Sequence, residues 1–378
     1  MNVVRKIWSA GWRIAVGGLL LVWIFHSIFV NEARSLGKSG KLTDHGVQVV
    51  WTDEHQPPRT EQWRYGWEYG PPALWQTLRS VNPGALALSF ALMGATLVVG
   101  IARWRLVLRV QGLALPFARA AEISLVAHFF NSFLLGTAGG DVMKAYCAAR
   151  ETHHKKTEAV VTVFVDRVIG LWAMLLFAAL MIAPNYQLLF QPGLRTAATS
   201  VVAMTLAASG FVFLAFRGGV SKRWSGAREM LRRLPKAGVL ERSLDSCREF
   251  GRERGFLQRA LAFSMLLNFL CVLQFFVLAR GLGMEVSLVA LALVVPAVIC
   301  ISALPVSPSG LGVREYLLVQ LLAAPAIHAD PTNALSLSLL AYAGSLFWSL
   351  VGGVVYALFK HKHHLSEAEL ETTTDGHG

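Results

Sequence analysis

Two arginines stand next to carboxylates within strongly apolar parts of this 378-residue chain. Arg167 follows Asp166 in the run TEAVVTVFVDRVIGL, and Arg314 precedes Glu315 in the run PSGLGVREY. A guanidinium group suits phosphate because its planar donors make two parallel contacts with the phosphate oxygens. We therefore interpret both arginines as candidate ligands for an anionic group, with the neighbouring acids orienting them or exchanging protons.

Each arginine also has a plainer interpretation. Arg167 lies only about two helical turns inside its apolar run, so its side chain can reach the cytoplasmic surface by extending along the helix. Arg314 is equally explained as a loop residue that follows the general excess of basic residues on the cytoplasmic side. The sequence leaves both interpretations open.

A glycine-rich turn with two charges follows the apolar run AEISLVAHFFNSFLL. The turn reads GTAGGDVMKAY and spans residues 136–146. A glycine turn that opens a helix presents free backbone N–H groups and the positive end of the helix dipole, and both favour phosphate. The alternative is a simple loop at the cytoplasmic surface, in which glycine only permits the chain to turn. The candidate ligands here are Asn131, Gly139, Gly140, Asp141 and Lys144.

The stretch FLLGTAGGDVMKAY at 133–146 resembles the stretch ALPVSPSGLGVREY at 303–316. Each has an apolar lead, then small and turn-forming residues, then a valine, and then charge and a tyrosine. Transporters often contain two related halves whose broken helices meet near the middle of the bilayer. The similarity is weak, but it predicts an internal repeat and adds Gly310 and Gly312 to the candidate ligands.

The composition requires a large apolar environment. Hydrophobic residues make up 54% of the chain and only 15% are charged, with a mean hydropathy of +0.49. A soluble domain usually carries about a quarter charged residues. The sequence therefore predicts an integral membrane protein.

Runs of about 20 apolar residues predict an all-α, polytopic fold with about eight membrane-spanning helices. The run 119–135 is also apolar but ends in the glycine turn, so we expect one or two re-entrant elements that enter and leave on one side. The predicted spans are 13–30, 84–101, 159–183, 197–216, 260–280, 286–304, 316–329 and 334–359.

The distribution of lysine and arginine sets the predicted orientation. With the N-terminus in the cytoplasm, 25 of the 35 basic residues fall on cytoplasmic segments and eight on outside segments. This asymmetry places both termini in the cytoplasm, provided that 119–143 does not cross. The predicted organisation is an N-terminal anchor at 1–30, an extracytoplasmic loop at 31–83, a transmembrane domain at 84–360 and a disordered tail at 361–378.

Two loops carry further predictions. Within 31–83, QVVW and QWRYGWEYGPP are expected to form a small hairpin, with Trp51, Trp63, Trp67 and Trp75 at the membrane surface. The loop 217–259 carries twelve of the basic residues of a chain whose net charge is +12. It is either a solvated cytoplasmic loop or an amphipathic element on anionic lipid. Nucleic acid is not expected, because topology already demands positive charge there.

Several other chemistries are not expected. The histidine pairs at 153–154 and 363–364 lack acidic or cysteine partners at ligand spacing, so no metal is predicted. The four cysteines are scattered without a CxxC pair, and no cofactor is predicted. GTAGGD lacks the GxGxxG pattern of a dinucleotide-binding turn. The chain offers no DxD pair and no nucleophile constellation, which disfavours a transferase.

The same motifs resemble the transmembrane region of the lysylphosphatidylglycerol synthase/flippase family. The resemblance covers roughly 84–360 and rests on RWRLVLRVQGL, HFFNSFLLGTAGGDVMKAY, TEAVVTVFVDRVIGL and PSGLGVREY, in the family's order. Leu135 stands where family members commonly carry proline, and the long loop 31–83 is a second departure. The family pattern falls on Asn131, Gly136, Gly139, Gly140, Asp141, Asp166, Arg167, Gly310, Gly312, Arg314 and Glu315.

The resemblance implies a flippase-like transporter in a bacterial cytoplasmic membrane. Its substrate would be an anionic phospholipid or a polyprenyl-phosphate-linked precursor, and the lipid itself is not identified. The family's synthases carry a soluble domain for aminoacyl transfer, and the 18 residues after Lys360 are too few for one, so lipid aminoacylation is not expected. The alternatives are a membrane transferase acting on a lipid-linked substrate and a non-transporting subunit of an envelope-lipid synthesis complex.

Overall fold

The computed structural model describes most of the apolar chain. Several segments that carry predictions lie outside the described residues. They are the tail 361–378, most of the basic loop 217–259, most of the N-terminal anchor, Gly310, Trp51 and the histidines at 153–154. The described residues are 22–23, 25–26, 28–30, 33, 36, 42–44, 47–49, 57–133, 139–152, 155–182, 194–217, 250–251, 253, 255–302, 312–324 and 327–358.

Helices account for nearly all of the described residues, and the predicted all-α class is confirmed. The helical residues between 22 and 36 form what we call the N-terminal segment. The other helices are α1 (Arg59–Arg79), α2 (Pro83–Val110), α3 (Phe117–Phe133), α4 (Gly139–Arg150), α5 (Lys156–Ile182), α6 (Leu194–Arg217), α7 (Phe256–Gly281), α8 (Leu288–Ser302), α9 (Val313–Leu322) and α10 (Pro331–Ala357).

Four of these helices, α2, α5, α7 and α10, are long and apolar enough to cross a membrane. Each has 26 to 28 residues and extends about 40 Å, against a hydrocarbon core of about 30 Å. Shorter apolar helices lie at Ala198–Phe213, within α6, and at Leu288–Ser302. The chain is therefore a multi-pass membrane protein. The predicted crossing at 316–329 is wrong, because α9 has ten residues and extends only about 15 Å.

Helices α3 and α4 form a helical hairpin. Gly140 at the start of α4 packs on Ala127 and Asn131 near the end of α3. At the other ends of the two helices, Arg119 of α3 binds Glu151, which follows α4, with an Nη2–Oε1 distance of 2.7 Å. The chain therefore enters and leaves this hairpin at the same end, which is the geometry that a re-entrant element requires.

The succession α2–α5 recurs in α7–α10. Each copy has a long helix, two shorter helices packed against each other, and a second long helix. The helix lengths are 28, 17, 12 and 27 residues in the first copy and 26, 15, 10 and 27 in the second. This agreement supports the internal repeat predicted from the two glycine turns.

The first helix of each copy ends in the same glycine cap. Gly112 after α2 and Gly283 after α7 have φ angles of 67° and 73°, in the left-handed region that glycine adopts without strain. In both caps the next N–H bonds the carbonyl five residues earlier, at 3.0 Å after α2 and 2.9 Å after α7. These are Schellman motifs, which satisfy the last carbonyls of a helix and turn the chain away from it.

The described helices belong to two compact units. The first unit holds the described residues up to Phe90 together with those of 273–344, and the second unit holds the others. Helices α2, α7 and α10 contribute residues to both units.

Small residues of α10 allow close packing on α3 within the second unit. A side chain at Gly352 would have its Cβ only 2.1 Å from the carbonyl oxygen of Leu125. Ser349 donates its hydroxyl to the His128 carbonyl at 3.3 Å, and the His128 Nε2 lies 3.1 Å from the Ser345 carbonyl oxygen. Small residues are favoured where membrane helices meet, because the backbones can then approach each other.

The predicted pairing of QVVW with QWRYGWEYGPP is wrong. A short antiparallel hairpin joins β1 (Leu42–Asp44) to β2 (Val47–Val49), whereas QWRYGWEYGPP lies within α1. The glycines of that stretch serve close packing, since a side chain at Gly70 would collide with Phe29 and one at Gly66 would crowd the backbone of the N-terminal segment. The sequence therefore favours a helix against that segment rather than a strand.

Candidate functional site

Asp166 of α5 is bound by two cations inside the second unit. Its Oδ1 accepts a hydrogen bond from Arg103 Nε of α2 at 2.8 Å, and its Oδ2 lies 3.5 Å from Lys144 Nζ of α4. Asp166 and Arg103 are buried, with 7% and 9% of their surfaces exposed. Because a buried charge is costly without a partner, these contacts hold α2, α4 and α5 in one arrangement.

The Arg103 guanidinium has two further neighbours. Its Nη1 donates to the Ser264 hydroxyl of α7 at 3.0 Å. A side chain at Gly170 would have its Cβ 3.0 Å from Nη2, so glycine leaves room there for the guanidinium. Arg103 is therefore fixed by α2, α5 and α7 together, and its direction does not depend on a ligand.

Lys144 is oriented by an aromatic ring as well as by Asp166. Its Nζ lies 4.2 Å from the centroid of the Trp104 ring, a cation–π contact. The Trp104 ring is completely buried, and its Nε1 donates to the Thr162 hydroxyl at 3.3 Å. The lysine that the glycine turn carries is thereby directed into the protein rather than toward solvent.

Arg167 lies on a different side of α5 and faces a different acid. Its Nε is 3.6 Å from Asp141 Oδ2, and the two side chains are 39% and 38% exposed. An ion pair between partly exposed groups contributes little, about 0–1 kcal/mol. Within this group of charges, Arg167 is therefore the cation that a ligand can reach and whose present partner is most easily replaced.

The group as a whole carries an excess of positive charge. Arg103, Lys144 and Arg167 supply three positive charges, and Asp141 and Asp166 supply two negative charges. Charges interact more strongly away from bulk water, so an unbalanced charge beside apolar helices favours an anion. The arrangement can therefore bind one further negative group without rearranging the buried pairs.

One glycine of the turn, Gly140, has an identifiable packing role. A side chain at Gly140 would have its Cβ 2.3 Å from the Ala127 carbonyl oxygen and 2.7 Å from the Asn131 Cβ. Gly140 is thus required by the contact of α3 with α4, which is a reason for glycine other than approach to phosphate. Gly139 begins α4 and Asp141 lies in its first turn, where the helix dipole favours negative charge.

Glu315 of α9 is completely buried in the first unit, and both of its carboxylate oxygens have partners. Oε2 accepts a hydrogen bond from the Gly312 N–H at 2.7 Å, which caps the start of α9. Oε1 binds Arg314 and accepts a hydrogen bond from the Ser338 hydroxyl at 3.3 Å. Gly312 has a φ of 83°, a conformation that other residues adopt only with strain.

Arg314 is held more tightly than Arg167. Its Nε donates to the Ser338 hydroxyl at 3.3 Å, and its guanidinium carbon lies 4.8 Å from the centroid of the Tyr342 ring. Only 15% of the side chain is exposed. The contact with Glu315 is the one expected if that carboxylate holds the arginine in place.

The structure places the described candidate residues in two groups, one in each unit. Among the residues that the structure describes, no three His, Cys, Asp or Glu side chains come together as a metal site. The second unit contains Asn131, Gly139, Gly140, Asp141, Lys144, Asp166 and Arg167, and the first unit contains Gly312, Arg314 and Glu315.

Sequence reasoning missed Arg103 as part of the site. Arg103 was counted among the cytoplasmic basic residues and begins the family-like motif RWRLVLRVQGL, but it was not a candidate ligand, although it makes the shortest contact with Asp166 across 63 positions of the chain. The usable signal is its place within the apolar helix α2, because an ionisable side chain inside such a helix usually has a buried partner. Ser338 and Tyr342 carry no comparable signal.

The fold and the site define a multi-pass α-helical membrane protein with a repeated arrangement of long and short helices and with buried arginine–carboxylate pairs. Residues 63–353 match the family described as the lysylphosphatidylglycerol synthase TM region, and the chain belongs to that family. A similar protein is a UPF0104 membrane protein of Methanothermobacter thermautotrophicus, 26% identical over 306 residues, covering 74% of this chain and 86% of the relative. The family resemblance inferred from the motifs is thereby confirmed.

Proposed function

We propose that the protein is a flippase-like transporter that moves a lipid with an anionic headgroup across the cytoplasmic membrane. The lipid is an anionic phospholipid or a polyprenyl-phosphate-linked precursor, and both termini of the protein lie in the cytoplasm. The family supports action on lipids, since its description names a lipid synthase. The charges of the second unit support the choice of an anionic headgroup.

The observation that carries the proposal is that Arg167 is partly exposed and only weakly paired. Its side chain is 39% exposed and has one acidic contact at 3.6 Å, while the neighbouring Asp166 is already bound by Arg103 and Lys144. A phosphate would replace the weak contact with Asp141 by a two-point contact, which is stronger. Asp141 would then be released from Arg167 when the headgroup binds.

Arg314 offers a second phosphate ligand, but unlike Arg167 it is already paired with a buried acid. Its charge is matched by Glu315, so an added anion gains less there than at Arg167. Glu315 lies in a fully paired, buried position, and its protonation would free Arg314 for an anion. A role of Glu315 in coupling transport to protons belongs to the same proposal.

The first test measures lipid movement in proteoliposomes that contain the purified full chain and fluorescent lipids of anionic or zwitterionic headgroup. Wild type is compared with Arg167→Ala, Arg167→Lys and Arg314→Ala. Arg195→Ala is the matched control, because Arg195 is exposed at the start of α6. We expect selective movement of the anionic lipid, unchanged in the control.

The expected loss is about 10- to 100-fold for Arg167→Ala, which corresponds to one charged hydrogen-bonded contact. Arg167→Lys should retain part of the activity, since a lysine supplies the charge without the two-point geometry. Equal movement of anionic and zwitterionic lipids would contradict the proposed headgroup. Unchanged movement in Arg167→Ala would remove Arg167 from the site.

A further inference from the structure

Helix α1 has three distinct faces within the first unit. One face is buried and includes Gly66, Gly70 and Leu74. A second face carries the charged residues Glu61 and Glu68. On the third face Trp63, Trp67, Pro71 and Trp75 recur every four residues, so they form one row along the helix.

The third face is both apolar and exposed. Trp63, Trp67 and Trp75 have 49%, 48% and 57% of their surfaces exposed. Helix α1 has 21 residues, but it is not one of the described helices that are apolar enough to cross a membrane. A helix with one charged and one tryptophan-rich face is typical of the membrane–water interface.

A groove runs beside the tryptophan row. It is lined by Phe25 and Phe29 of the N-terminal segment and by α1 side chains from Trp67 to Leu78, and its volume is about 320 Å³. Every lining residue is apolar or aromatic. Ligand pockets span about 300–1,000 Å³, so this groove has room for a single hydrocarbon chain rather than for a complete lipid.

The walls of the groove are fixed by specific contacts. Trp67 donates its Nε1 to the His26 Nδ1 at 3.1 Å, and its ring meets the edge of Phe29 at a centroid distance of 5.3 Å. A side chain at Gly70 would collide with Phe29, so the helix and the N-terminal segment touch directly. The groove therefore exists without a ligand.

Two observations identify the occupant. Leu78 is the last lining residue along the chain, and the spanning helix α2 begins five residues later at Pro83, so the groove lies within about 18 Å of a helix whose apolar surface faces lipid chains. Arg79 stacks on Trp75 at this end, with its guanidinium carbon 4.8 Å from the ring centroid. A cation beside an apolar groove complements a lipid, which has a phosphate at one end and a chain at the other.

We propose that the groove between α1 and the N-terminal segment binds one acyl chain of a membrane phospholipid, with Arg79 beside the phosphate. Phe25 and Phe29 precede residues 63–353, the region that matches the family. The wall that they form lies outside the family match, whereas the α1 side chains of the other wall lie within it. The groove lies apart in sequence from Arg167 and does not depend on the transport proposed above.

The test uses the purified full chain in vesicles of phosphatidylcholine and phosphatidylglycerol. The probe is phosphatidylglycerol with a photoactivatable diazirine near the end of one acyl chain, and a second probe carries the diazirine on the headgroup. Chain ends normally lie near the bilayer centre, so labelling of α1 by the first probe requires a chain inside the groove. Labelled peptides are identified by mass spectrometry.

We expect the chain probe to label α1 and the N-terminal segment in wild type. Leu78→Glu should lose this labelling, because it places a charge in the groove. Gln76→Glu adds the same charge on the exposed side of α1 and should retain the labelling. If Leu78→Glu does not fold, Trp75→Gln replaces it, since Trp75 lines the groove and is largely exposed.

Three results would overturn the assignment. The first is labelling of α1 by the headgroup probe alone, which would mean surface contact without a bound chain. The second is equal labelling in Leu78→Glu and Gln76→Glu. The third is displacement of the label by polyprenyl phosphate but not by excess unlabelled phosphatidylglycerol, which would make the occupant an isoprenoid. None of these results depends on whether Arg167→Ala alters lipid movement.

Discussion

Asp166 and Arg167 are neighbours in the sequence but have different partners. Successive side chains on a helix point about 100° apart, so Asp166 faces Arg103 and Lys144 while Arg167 faces Asp141. The sequence singled out both residues as candidate site residues. It could not divide their roles, because that division depends on which neighbouring helix lies on each side of α5.

The paired acids of this group should differ in their contribution to stability. Asp166→Ala leaves Arg103 and Lys144 buried without an acid, and we expect it to lower the free energy of unfolding by about 3–5 kcal/mol. Asp141→Ala removes a partly exposed pair and should cost about 0–1 kcal/mol. Unfolding of both variants in mixed detergent micelles measures the difference, and equal losses would contradict the assignment of the buried role to Asp166.

At the scale of elements, charge counting and hydropathy located the long helices but not their ends. The predicted span 84–101 is helix α2, which runs to Val110, because the arginines at its end are accommodated by contacts with Asp166 and the Leu115 carbonyl. The predicted return at 119–143 appears as the α3–α4 hairpin. The short helix α9 was mistaken for a crossing, since an apolar run alone does not reveal where Gly312 starts a helix.

The α3–α4 hairpin should depend on a glycine at position 140. Gly140→Ala places a Cβ against the Ala127 carbonyl, and such overpacking costs about 1–3 kcal/mol. Gly210→Ala in α6 is the matched control, since nothing lies within 4 Å of the added Cβ. The control should gain up to about 1 kcal/mol from helix propensity. The melting temperatures in detergent should therefore move in opposite directions, and a shift of the same sign would contradict the packing role.

At the scale of the whole molecule, the two copies α2–α5 and α7–α10 are expected to have opposite orientations in the membrane. The starts of the two copies are separated by α2, α5 and the predicted span 197–216 in α6, and these three crossings would give the second copy the opposite orientation to the first. Inverted repeats of this kind are a common basis of transport. The repeat was predicted from two glycine turns, whereas its extent became visible only from helix lengths and the paired glycine caps.

The inversion can be measured at two equivalent residues. Ala114 and Glu285 each lie two positions after a capping glycine, Gly112 or Gly283, and both are exposed. Single cysteines at these positions, in a chain without the four native cysteines, are treated with a membrane-impermeant maleimide. We expect Glu285→Cys to react in intact cells and Ala114→Cys to react only in inverted vesicles. Reaction of both from the same side would establish a parallel repeat instead.

The ion pairs between α4 and α5 also fix how far one helix can slide along the other. Asp141 and Lys144 stand three residues apart on α4. The acid Asp141 faces Arg167 of α5, and the base Lys144 faces Asp166 of the same helix. A slide of α4 by three residues would bring Lys144 beside Arg167, and two like charges at about 4 Å repel by about 4 kcal/mol near a protein surface. The two helices therefore have one preferred alignment. We expect the α3–α4 hairpin and α5 to move as one rigid body in any conformational change.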